Sequence, residues 1–396
     1  MTWDYQQLKR LVADTRLPAM IVDLDILEQN ARNLAAVAQA HKKKLRVASK
    51  SVRVVKLLKI IQEAVGDPYG GLMCFSPAEA RFLYLEGFDN LLIAYPSVQS
   101  DDLALVSEMT NKGADVTLMI DSPAHVDRLD SFFTHPVQVC IDADVSYRPA
   151  GLHIGVQRSP IRSLGDFTSL VRKVQSAKNL KLHGVMGYEA QIAGLGEENP
   201  FSPALNPLKK LIKSRSVRDV FKKRKQIAEW LAGEGIKLGL FNGGGTGSIQ
   251  TTSEEPWITE VTAGSGFLQS HLFDYYPKNQ NEPAFCFALQ VTRIPQPGMA
   301  TCQSGGFIAS GEAGPDKQPV PFLPEGVNST KNEGFGEVQT PLKIPSGLDL
   351  NPGDPIFFRP AKAGEIAERF SQYLLMRDNQ IVETAETYRG MGHCFY

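Results

Sequence analysis

The stretch Leu45–Arg53, which reads L-R-V-A-S-K-S-V-R, joins an apolar strand pattern to a helical pattern. The strand pattern ends on Lys50, and Ser51 is the predicted N-cap of a helix whose apolar residues recur at helical spacing from Val52 to Ile61. A lysine at the carboxyl end of a strand points into the pocket above the sheet. A desolvated lysine in such a pocket holds its proton less tightly and can form a Schiff base with an aldehyde. Taken alone, the stretch is more typical of a solvated lysine, so its interpretation depends on the rest of the chain.

Around this stretch, strand and helix patterns alternate with regular spacing. The predicted strands are Leu45–Ser49, Gly71–Phe75, Leu91–Tyr95, Asp115–Ile120, Val137–Asp142, Leu182–Gly187, Lys237–Phe241 and Ile258–Val261. The predicted helices are Ser51–Val65, Pro77–Glu86, Ser100–Lys112, Ser122–Phe133, Leu164–Ala177 and Val220–Ala232, with a shorter link at Ser248–Glu255. Eight such units favour an α/β fold in which the strands close into a parallel (β/α)8 TIM-type barrel.

After about Tyr276 the pattern changes, because Pro and Gly become frequent and helical periodicity largely disappears. The predicted strands here are Phe285–Arg293, Gly306–Ala309, Asp354–Phe358, Ser371–Arg377 and Gln380–Glu383. We therefore predict a barrel over residues 27–275 and a smaller β domain over residues 276–396. The early strand Ala19–Asp25, within residues 17–26, is surplus to the eight and is expected to pair into the β domain.

One segment, Ala193–Ser216, departs from the regular spacing and is predicted to be a loop insertion near the site, of undefined role. The basic run Lys209–Lys225 overlaps it. Because apolar residues are sparse in this run, it favours the solvated face of a helix or an insertion at the edge of the active site over nucleic-acid binding.

Composition and charge narrow the functional classes. Of the 396 residues 42% are hydrophobic and 21% charged, as in ordinary soluble proteins, and the net charge of −1 gives no attraction to nucleic acid or anionic membranes. No apolar run approaches the ~20 residues of a membrane span, and the first ten residues lack the apolar core of a signal peptide. Five cysteines without a C-x-x-C spacing fit a reducing compartment. These features predict a cytoplasmic protein whose partner is a small molecule.

Two glycine-rich turns follow the last two predicted strands. Asn242–Ser248 reads N-G-G-G-T-G-S, and Thr262–Gly266 reads T-A-G-S-G. Consecutive glycines let backbone N–H groups converge on one point, a following helix N-terminus adds its dipole, and barrels often bind phosphate at these positions. Either turn alone is most simply a plain turn, but two at these positions favour a phosphate site. A dinucleotide site with Glu260 as the ribose contact is the weaker interpretation, because it needs further βα units downstream.

Polar residues also follow the fifth and sixth predicted strands. Gly184–Ala190 places Tyr188 and Glu189 where a ring or a substrate would lie, although a hydrogen bond at the barrel rim explains Glu189 equally well. The segment from Asp142 to Gly155 is more polar than a structural loop requires, yet any one residue in it could form a rim salt bridge.

A lysine on the first barrel strand and a phosphate cradle after the seventh and eighth strands together favour pyridoxal phosphate (PLP) as cofactor. Lys50 would then be free to move the α-proton of an amino acid. Asn242 and Tyr188 are the candidate ring contacts by position.

At these residues the sequence resembles fold-type III PLP enzymes, in the branch that contains D-threonine aldolase and D-serine dehydratase, with alanine racemase more distant. The resemblance covers nearly the whole chain and rests on residues 17–30, on A-S-K-S-V-R, on the two glycine turns, and on G-L-D-L-N-P-G-D-P at residues 347–355. It implies a Schiff base on Lys50, a homodimer with sites near the subunit boundary, and action on D-amino acids. Lys50 and Tyr188 are the candidate catalytic residues. The implied phosphate contacts are Gly244, Gly245, Thr246, Gly264 and Ser265.

One stretch departs from the pattern of this family. The aldolase and dehydratase members carry a metal-binding pair, H-x-C or H-x-D, and the matching stretch Arg359–Glu365 has Lys362 and Gly364 at the two ligand positions. Neither glycine nor a charged lysine is a metal ligand, so the sequence argues against a metal in the reaction. Lys362 either replaces the charge of the cation or is a surface residue. The adjacent His393 and Cys394 are interpreted as structural.

The favoured function is a PLP-dependent lyase that acts on a β-hydroxy D-amino acid, by retro-aldol cleavage or by dehydration and deamination. Both reactions start from the same external aldimine, and the sequence does not define which bond of the amino acid then breaks. An amino-acid racemase is the alternative enzyme, and it needs a second base opposite Lys50. A non-catalytic PLP-binding protein is the alternative outside enzymes, but such proteins are a bare barrel without the β domain.

Overall fold

Apolar runs in the first two thirds of the chain form most of the strands. The computed structural model describes residues 3–277, 280–312 and 314–395. The first nine strands are β1 (Ala19–Asp23), β2 (Lys44–Ala48), β3 (Tyr69–Cys74), β4 (Leu91–Ile93), β5 (Val116–Ile120), β6 (Val137–Asp142), β7 (Leu180–Met186), β8 (Leu240–Gly243) and β9 (Glu260–Ala263). Among the described residues, β2 to β9 pair in parallel with their neighbours, and β9 pairs with β2, so the eight close into a barrel. The predicted (β/α)8 barrel is confirmed.

The last two barrel strands lie two to three residues later than predicted, because polar residues form part of them. Asn242 in β8 donates hydrogen bonds to Glu260 and Thr262 in β9, both at 2.8 Å. Glu260 also accepts two hydrogen bonds from Arg46 of β2, at 2.7 and 2.9 Å. All four side chains are buried. A sequence reading based on apolar runs places such residues outside strands.

Helices separate the barrel strands, and several begin at clear capping residues. The helices are α1 (Tyr5–Leu11), α2 (Leu24–Ala40), α3 (Val55–Val65), α4 (Pro77–Leu85), α5 (Ser100–Asn111), α6 (Pro123–Phe132), α7 (Leu164–Ser176), α8 (Ala190–Ala193), α9 (Asn206–Gly233), α10 (Ile249–Ser253) and α11 (Ser265–Leu268). The side chains of Ser76, Ser122 and Ser163 accept backbone N–H bonds at the starts of α4, α6 and α7. Such caps satisfy N–H groups that have no partner within the helix.

The predicted N-cap at Ser51 is wrong, because α3 begins four residues later, at Val55. Ser49–Ser51 form a 3₁₀ turn, and Arg53 has a left-handed backbone with φ of 54°. The Arg53 guanidinium donates to Glu368 at 2.7 Å, and its carbonyl accepts from the N–H of Tyr388. These long-range contacts hold the segment out of the helix, and no local pattern announces them.

The second half of the predicted loop insertion Ala193–Ser216 is helical, since α9 begins at Asn206 and continues for 28 residues. Its buried positions recur every three or four residues but include two polar side chains, which conceal the helical pattern. The buried residues are Ser216, Val220, Arg224, Ile227 and Leu231. No helix in the described ranges is both long and apolar enough to cross a membrane.

A second, mixed sheet is built mainly from the last third of the chain. Its further strands are β10 (Phe285–Arg293), β11 (Met299–Gln303), β12 (Val320–Leu323), β13 (Asn328–Ser329), β14 (Gln339–Lys343), β15 (Pro355–Arg359), β16 (Gln372–Arg377) and β17 (Gln380–Glu386). The early strand β1 lies within it, antiparallel to β10 and parallel to β16. The predicted separate β domain is therefore confirmed as a part of the fold.

One predicted strand of this sheet is wrong, and several of its strands were not predicted. The run Gly306–Ala309 is not a strand, because Gly305 before it has a left-handed φ of 128° and the run does not pair. The strands β12 and β14 were missed because each contains a proline, Pro321 or Pro341, which usually argues against a strand. Buried aromatic rings form much of the core, and Phe287 stacks on Phe358 with centroids 5.3 Å apart.

The described residues divide into two compact units. The barrel unit comprises the described residues of Leu34–Lys50, Val65–Gly264 and Phe395–Tyr396. The sheet unit comprises those of Met1–Asn33, Ser51–Ala64 and Ser265–Cys394. The predicted boundary between residues 275 and 276 was placed along the chain, whereas these units follow proximity in space, so that boundary stays a prediction.

Candidate functional site

The register of four consecutive barrel strands places most of the predicted site residues at one end of the barrel. Met186 of β7 pairs with Asn242 of β8, Gly243 pairs with Val261 of β9, and Ala263 pairs with Val47 of β2. Just beyond these strand ends the chain continues to Tyr188 after β7, to the glycine turn that ends at Ser248 after β8, to Gly264 after β9 and to Lys50 after β2. They therefore share the carboxyl end of the barrel, where barrel enzymes carry their chemistry.

Lys50 lies in the 3₁₀ turn after β2, and its side chain is exposed rather than desolvated. Its Nζ is 3.1 Å from the hydroxyl oxygen of Tyr95 and 5.7 Å from the centroid of that ring. Tyr95, which is 39% exposed, follows β4. Tyr95 ends the predicted strand Leu91–Tyr95, and no role is predicted for it from the sequence. The available signal is an aromatic residue with a hydroxyl at the carboxyl end of a strand.

Tyr188 is partly exposed after β7, and burial, followed by the nearby charge of Glu189, raises its pKa to about 12. The guanidinium carbon of Arg158 lies 5.4 Å from the centroid of its ring, within the range of a cation–π contact. Tyr188 therefore keeps its proton near neutral pH and offers a ring face and a hydroxyl rather than a base.

Asp142 ends β6 and pairs with Arg158, with Nε to Oδ2 at 2.8 Å and Nη2 to Oδ1 at 3.3 Å. Burial raises the pKa of Asp142 to about 6, although Arg158 opposes the rise. The two contacts fix the guanidinium in one orientation over the ring of Tyr188. The polar density of this segment is visible in the sequence, but the role of Arg158 is not, because the residues between Asp142 and Arg158 have no regular period.

The rest of that polar segment forms rim ion pairs. Arg148 donates to Asp144 at 2.8 Å, and Asp144 also accepts from the backbone N–H of Ser146. The imidazole of His153 is 3.2 Å from the carbonyl of Val156. These contacts match the structural alternative stated for the segment.

Glu189 is fully buried and has four partners of its own. Arg224 donates to it, and so do the hydroxyls of Ser248 and Thr252, both at 2.6 Å, and the N–H of Gly244 at 3.1 Å. Burial opposes ionisation, but Arg224 and the other donors outweigh it and hold the pKa of Glu189 below its usual range. Glu189 therefore acts within the protein interior and not as a contact to a ring or substrate.

The predicted phosphate cradle after β8 is a turn with one buried side and one partly exposed side. Gly243, Gly244 and Ser248 are buried, whereas Gly245, Thr246 and Gly247 are partly exposed. The N–H of Gly244 donates to Glu189, and that of Gly245 donates to the hydroxyl oxygen of Ser248 at 3.1 Å. Gly245, Thr246 and Gly247 are therefore accessible to a ligand from solvent, and Gly244 is not. The helix after it, α10, has only five residues.

Three other predicted residues are placed as follows. Asn242 is buried, and its amide nitrogen is bonded to Glu260 and Thr262, so it links two strands inside the barrel. Gly264 is buried directly after β9, and Ser265, partly exposed, is the first residue of α11. Gly264 therefore joins Lys50 and the glycine turn at the carboxyl end, while Asn242 does not offer its side chain there.

No group of three or more His, Cys, Asp or Glu side chains that could hold a metal occurs within residues 3–277, 280–312 and 314–395. Lys362 donates to the carbonyl of Ser310 at 2.8 Å and lies 3.3 Å from Glu365. Glu365 in turn accepts from the N–H and the hydroxyl of Ser310. The charge of Lys362 therefore lies in a local, half-buried cluster with Ser310 and Glu365 in the sheet unit.

The residues at the carboxyl end fit PLP in three respects. Lys50 presents an exposed amine, Tyr188 presents a ring, and Gly245 to Gly247 present an exposed turn without side-chain bulk at the glycines. A Cβ added to Gly245 would lie 3.3 Å from Cε2 of Tyr188 and 2.7 Å from Cβ of Ala193. The turn thus packs directly against the ring of Tyr188, and only glycine permits that approach.

Comparisons with known proteins agree with the fold and give the family. The model of the family described as alanine racemase, N-terminal domain, matches residues 22–267. The 3-hydroxy-D-aspartate aldolase of Paracoccus denitrificans (strain Pd 1222) is 22% identical over 254 residues, which are 64% of this chain and 60% of that protein. The chain thus matches about 60% of the length of that relative.

Two solved structures share the whole fold. D-threonine aldolase from Filomicrobium marinum has a TM-score of 0.81 and 20% identity, with 96% of each chain covered. D-threo-3-hydroxyaspartate dehydratase from Delftia sp. HT23 has a TM-score of 0.77 and 20% identity, with 95% of this chain and 98% of that chain covered. At these identities the likeness establishes the fold.

Proposed function

Because the chain belongs to the alanine racemase N-terminal domain family, we propose that it is a PLP-dependent lyase acting on a β-hydroxy D-amino acid. The reaction is either retro-aldol cleavage or dehydration followed by deamination. The observation that carries this proposal is the exposed amine of Lys50 at the same barrel end as the glycine turn and Gly264. A Schiff-base lysine and a phosphate cradle are the two features that PLP needs.

The relatives support the choice of a lyase. The curated relative is named an aldolase for 3-hydroxy-D-aspartate, and the two solved structures are named D-threonine aldolase and D-threo-3-hydroxyaspartate dehydratase. All three names describe a D-amino acid with a hydroxyl on Cβ, and both reaction types break a bond at Cα or Cβ. This shared substrate class is the one we propose here.

Each residue at the barrel end has a role in this proposal. PLP, when bound, withdraws electrons from Cα of the amino acid. Lys50 holds or moves a proton at that carbon, and the Tyr95 hydroxyl 3.1 Å away orients its amine. The exposed part of the glycine turn and the Gly264–Ser265 segment bind the phosphate, and Tyr188 contacts the ring. Arg158, fixed by Asp142, holds the ring of Tyr188 in place.

The first experiment is a visible absorption spectrum of the purified protein after incubation with PLP and removal of the unbound PLP, followed by borohydride reduction and peptide mapping. We expect an absorption band from the cofactor and a reduced adduct on the peptide that contains Lys50. The Lys50→Ala variant should show neither. An adduct on another lysine, or no band with added PLP, would overturn the proposal.

Substrate panels then separate the two reactions from the alternatives. With D-threonine, D-serine and 3-hydroxy-D-aspartate, an aldolase releases glycine and an aldehyde, whereas a dehydratase releases ammonia. Inversion at Cα without cleavage, which gives the corresponding L-configured epimer, would instead indicate a racemase. Tight PLP binding without turnover of any D- or L-amino acid would indicate a non-catalytic PLP-binding protein.

The proposal includes a homodimer and a cytoplasmic location. Light scattering on the purified protein measures the mass in solution. A mass of about twice the 43.5 kDa of the chain supports the dimer, and a monomer at assay concentrations contradicts it. Fractionation of the source cells tests the location.

A further inference from the structure

Three ionisable side chains are buried behind the glycine turn and bonded to one another. Arg224 of α9 is fully buried between Glu189 and Glu255. It donates to Glu255 at 2.5 Å, and its Nε and Nη2 both donate to the carbonyl of Gly187. Removing charges from water is costly, and the cost is recovered only where nearly every donor and acceptor is satisfied. Such a network can serve to hold a particular local conformation.

The network ends on the turn. Glu189 binds the N–H of Gly244 directly, and it reaches Gly245 through Ser248, whose hydroxyl donates to Glu189 and accepts from the N–H of Gly245. Thr252 of α10 provides a third link to the same carboxylate. One carboxylate therefore determines the direction of two consecutive N–H groups and of the helix that follows.

The backbone of the turn shows why such support is needed. Gly244 has a left-handed φ of 91°. A Cβ on Gly243 would lie 2.6 Å from Nη2 of Arg224, so the guanidinium packs directly on the backbone there. A glycine-rich segment has many accessible conformations, and an ordered one is retained only if surrounding contacts select it.

We propose that Glu189, together with Arg224, Ser248 and Thr252, is a positioning network that sets the affinity of the exposed side of the turn for the phosphate of the cofactor. Glu189 acts on the buried side of the turn, and Thr246 and Gly247 face the phosphate on the other side. This inference rests on the proposed function, since it assumes that PLP binds at this end of the barrel. It assigns Glu189 to phosphate affinity and not to proton transfer.

The test compares two ligands that differ only in the phosphate, PLP and pyridoxal. Equilibrium affinities for both are measured on the full-length apoprotein, and the change in the ratio of the two dissociation constants from wild type to variant reports the change in the phosphate contribution. The internal hemiacetal that free pyridoxal forms enters every ratio equally and cancels. Ser248→Ala removes the link from Glu189 to Gly245, and Thr252→Val removes one hydroxyl from the carboxylate. Ser253→Ala is the matched control, because the hydroxyl of this buried neighbour on α10 bonds, among the described residues, only to the carbonyl of Ile249 in its own helix.

We expect Ser248→Ala to reduce the preference for PLP over pyridoxal about tenfold, the effect of losing a hydrogen bond to a charged group. Thr252→Val should reduce it about threefold, since three donors to Glu189 remain. Ser253→Ala should leave the preference unchanged. The ³¹P chemical shift of bound PLP should move in the first two variants only, a signature that a loss of stability alone does not produce.

The outcomes separate this inference from the proposed function. If the wild-type protein binds PLP no more tightly than pyridoxal, the phosphate site and the proposed function fail together. If the wild-type protein prefers PLP and both network variants keep that preference, the positioning role is wrong and the proposed function stands. A loss of preference in Ser253→Ala equal to that in Ser248→Ala would also overturn the positioning role.

Discussion

Replacing Asp142 with Asn should remove a pH dependence of stability between about pH 4 and pH 6. Asp142 lies at the end of β6 with a side chain only 4% exposed. Burial raises its pKa from the usual 3.8 to about 6, and the contact with Arg158 only partly offsets this. Between the two pKa values the carboxyl is protonated in the folded chain and ionised in the unfolded chain, so folding takes up a proton.

The size and sign of the effect follow from these two pKa values. A difference of about 2 pH units corresponds to about 3 kcal/mol at ~1.36 kcal/mol per unit. Because the folded-state pKa is the higher one, this contribution to the free energy of unfolding is fully present below pH 3.8 and is lost as the pH rises through about 6. The amide of the D142N variant has no proton to lose, so the variant does not show this loss.

Urea unfolding of the wild-type protein and of D142N at pH 4, 5, 6 and 7 measures the effect. The contributions of the other titrating groups cancel when the free energies of unfolding of the two proteins are subtracted. As the pH rises, the wild type should lose about 3 kcal/mol of this free energy relative to D142N. Asp144→Asn is the control. Burial opposes ionisation of Asp144, but Ser146 and Arg148 outweigh it and hold its pKa below the usual range, so its contribution is lost as the pH falls.

A difference between wild type and D142N that stays constant from pH 4 to pH 7 would refute the reasoning. It would mean that Asp142 is ionised throughout and that Arg158 outweighs burial. A difference of the same sign in D142N and D144N would show that the pH dependence does not arise from these individual carboxyls.

Three further predictions concern the site: two substitutions and a metal analysis. Tyr95→Phe removes the hydroxyl beside Lys50 but keeps the ring, and we expect kcat/KM to fall about fivefold, the effect of one exposed hydrogen bond, with the fold unchanged by circular dichroism. Gly245→Ala should lower stability by about 1–3 kcal/mol and weaken PLP binding, because the added Cβ collides with Ala193. Gly233→Ala is its control: the added Cβ meets nothing within 4 Å near the end of α9, so denaturation should show equal or higher stability. Lys362 stands where the resembled family has a metal ligand, and a charged lysine does not bind metal. We therefore expect less than one metal ion per chain by elemental analysis and activity that chelators do not reduce. Stoichiometric metal, or loss of activity with EDTA, would contradict this.

The parts of the fold that could be predicted from sequence are those whose signal is local. The helices α4 and α7 begin beside Ser76 and Ser163, which are visible caps, and β6 is a continuous apolar run found at its predicted bounds. Lys50 and the glycine turn stand out because each is a distinctive residue pattern at the end of a strand. Such signals lie within a few residues of the element that they describe.

The roles that could not be predicted depend on partners far apart in the chain. Glu189 accepts hydrogen bonds from residues 35 to 63 positions away, and its structural or functional role could be decided only when those partners were placed. Arg224 looked like one charge of a basic run, although it is the only one of that run, among the described residues, that is fully buried. Periodicity reports which face of a helix is apolar, and it does not report a buried guanidinium.

The polar residues inside the barrel strands also bear on the proposed chemistry. Arg46 of β2 binds Glu260 of β9 through two hydrogen bonds, and Asn242 of β8 binds the same carboxylate, so one buried cluster joins the three strands where the barrel closes. Apolar side chains would fill the same space, but they would not define the register of these strands, because a hydrocarbon contact tolerates a sliding neighbour and a two-point hydrogen bond does not. Lys50, the glycine turn and Gly264 follow these same three strands. In the proposed function, this polar cluster fixes the spacing between Lys50 and the glycine turn. Arg46→Met should therefore weaken PLP binding, measured as a dissociation constant, more than a substitution of equal volume change elsewhere in the barrel core.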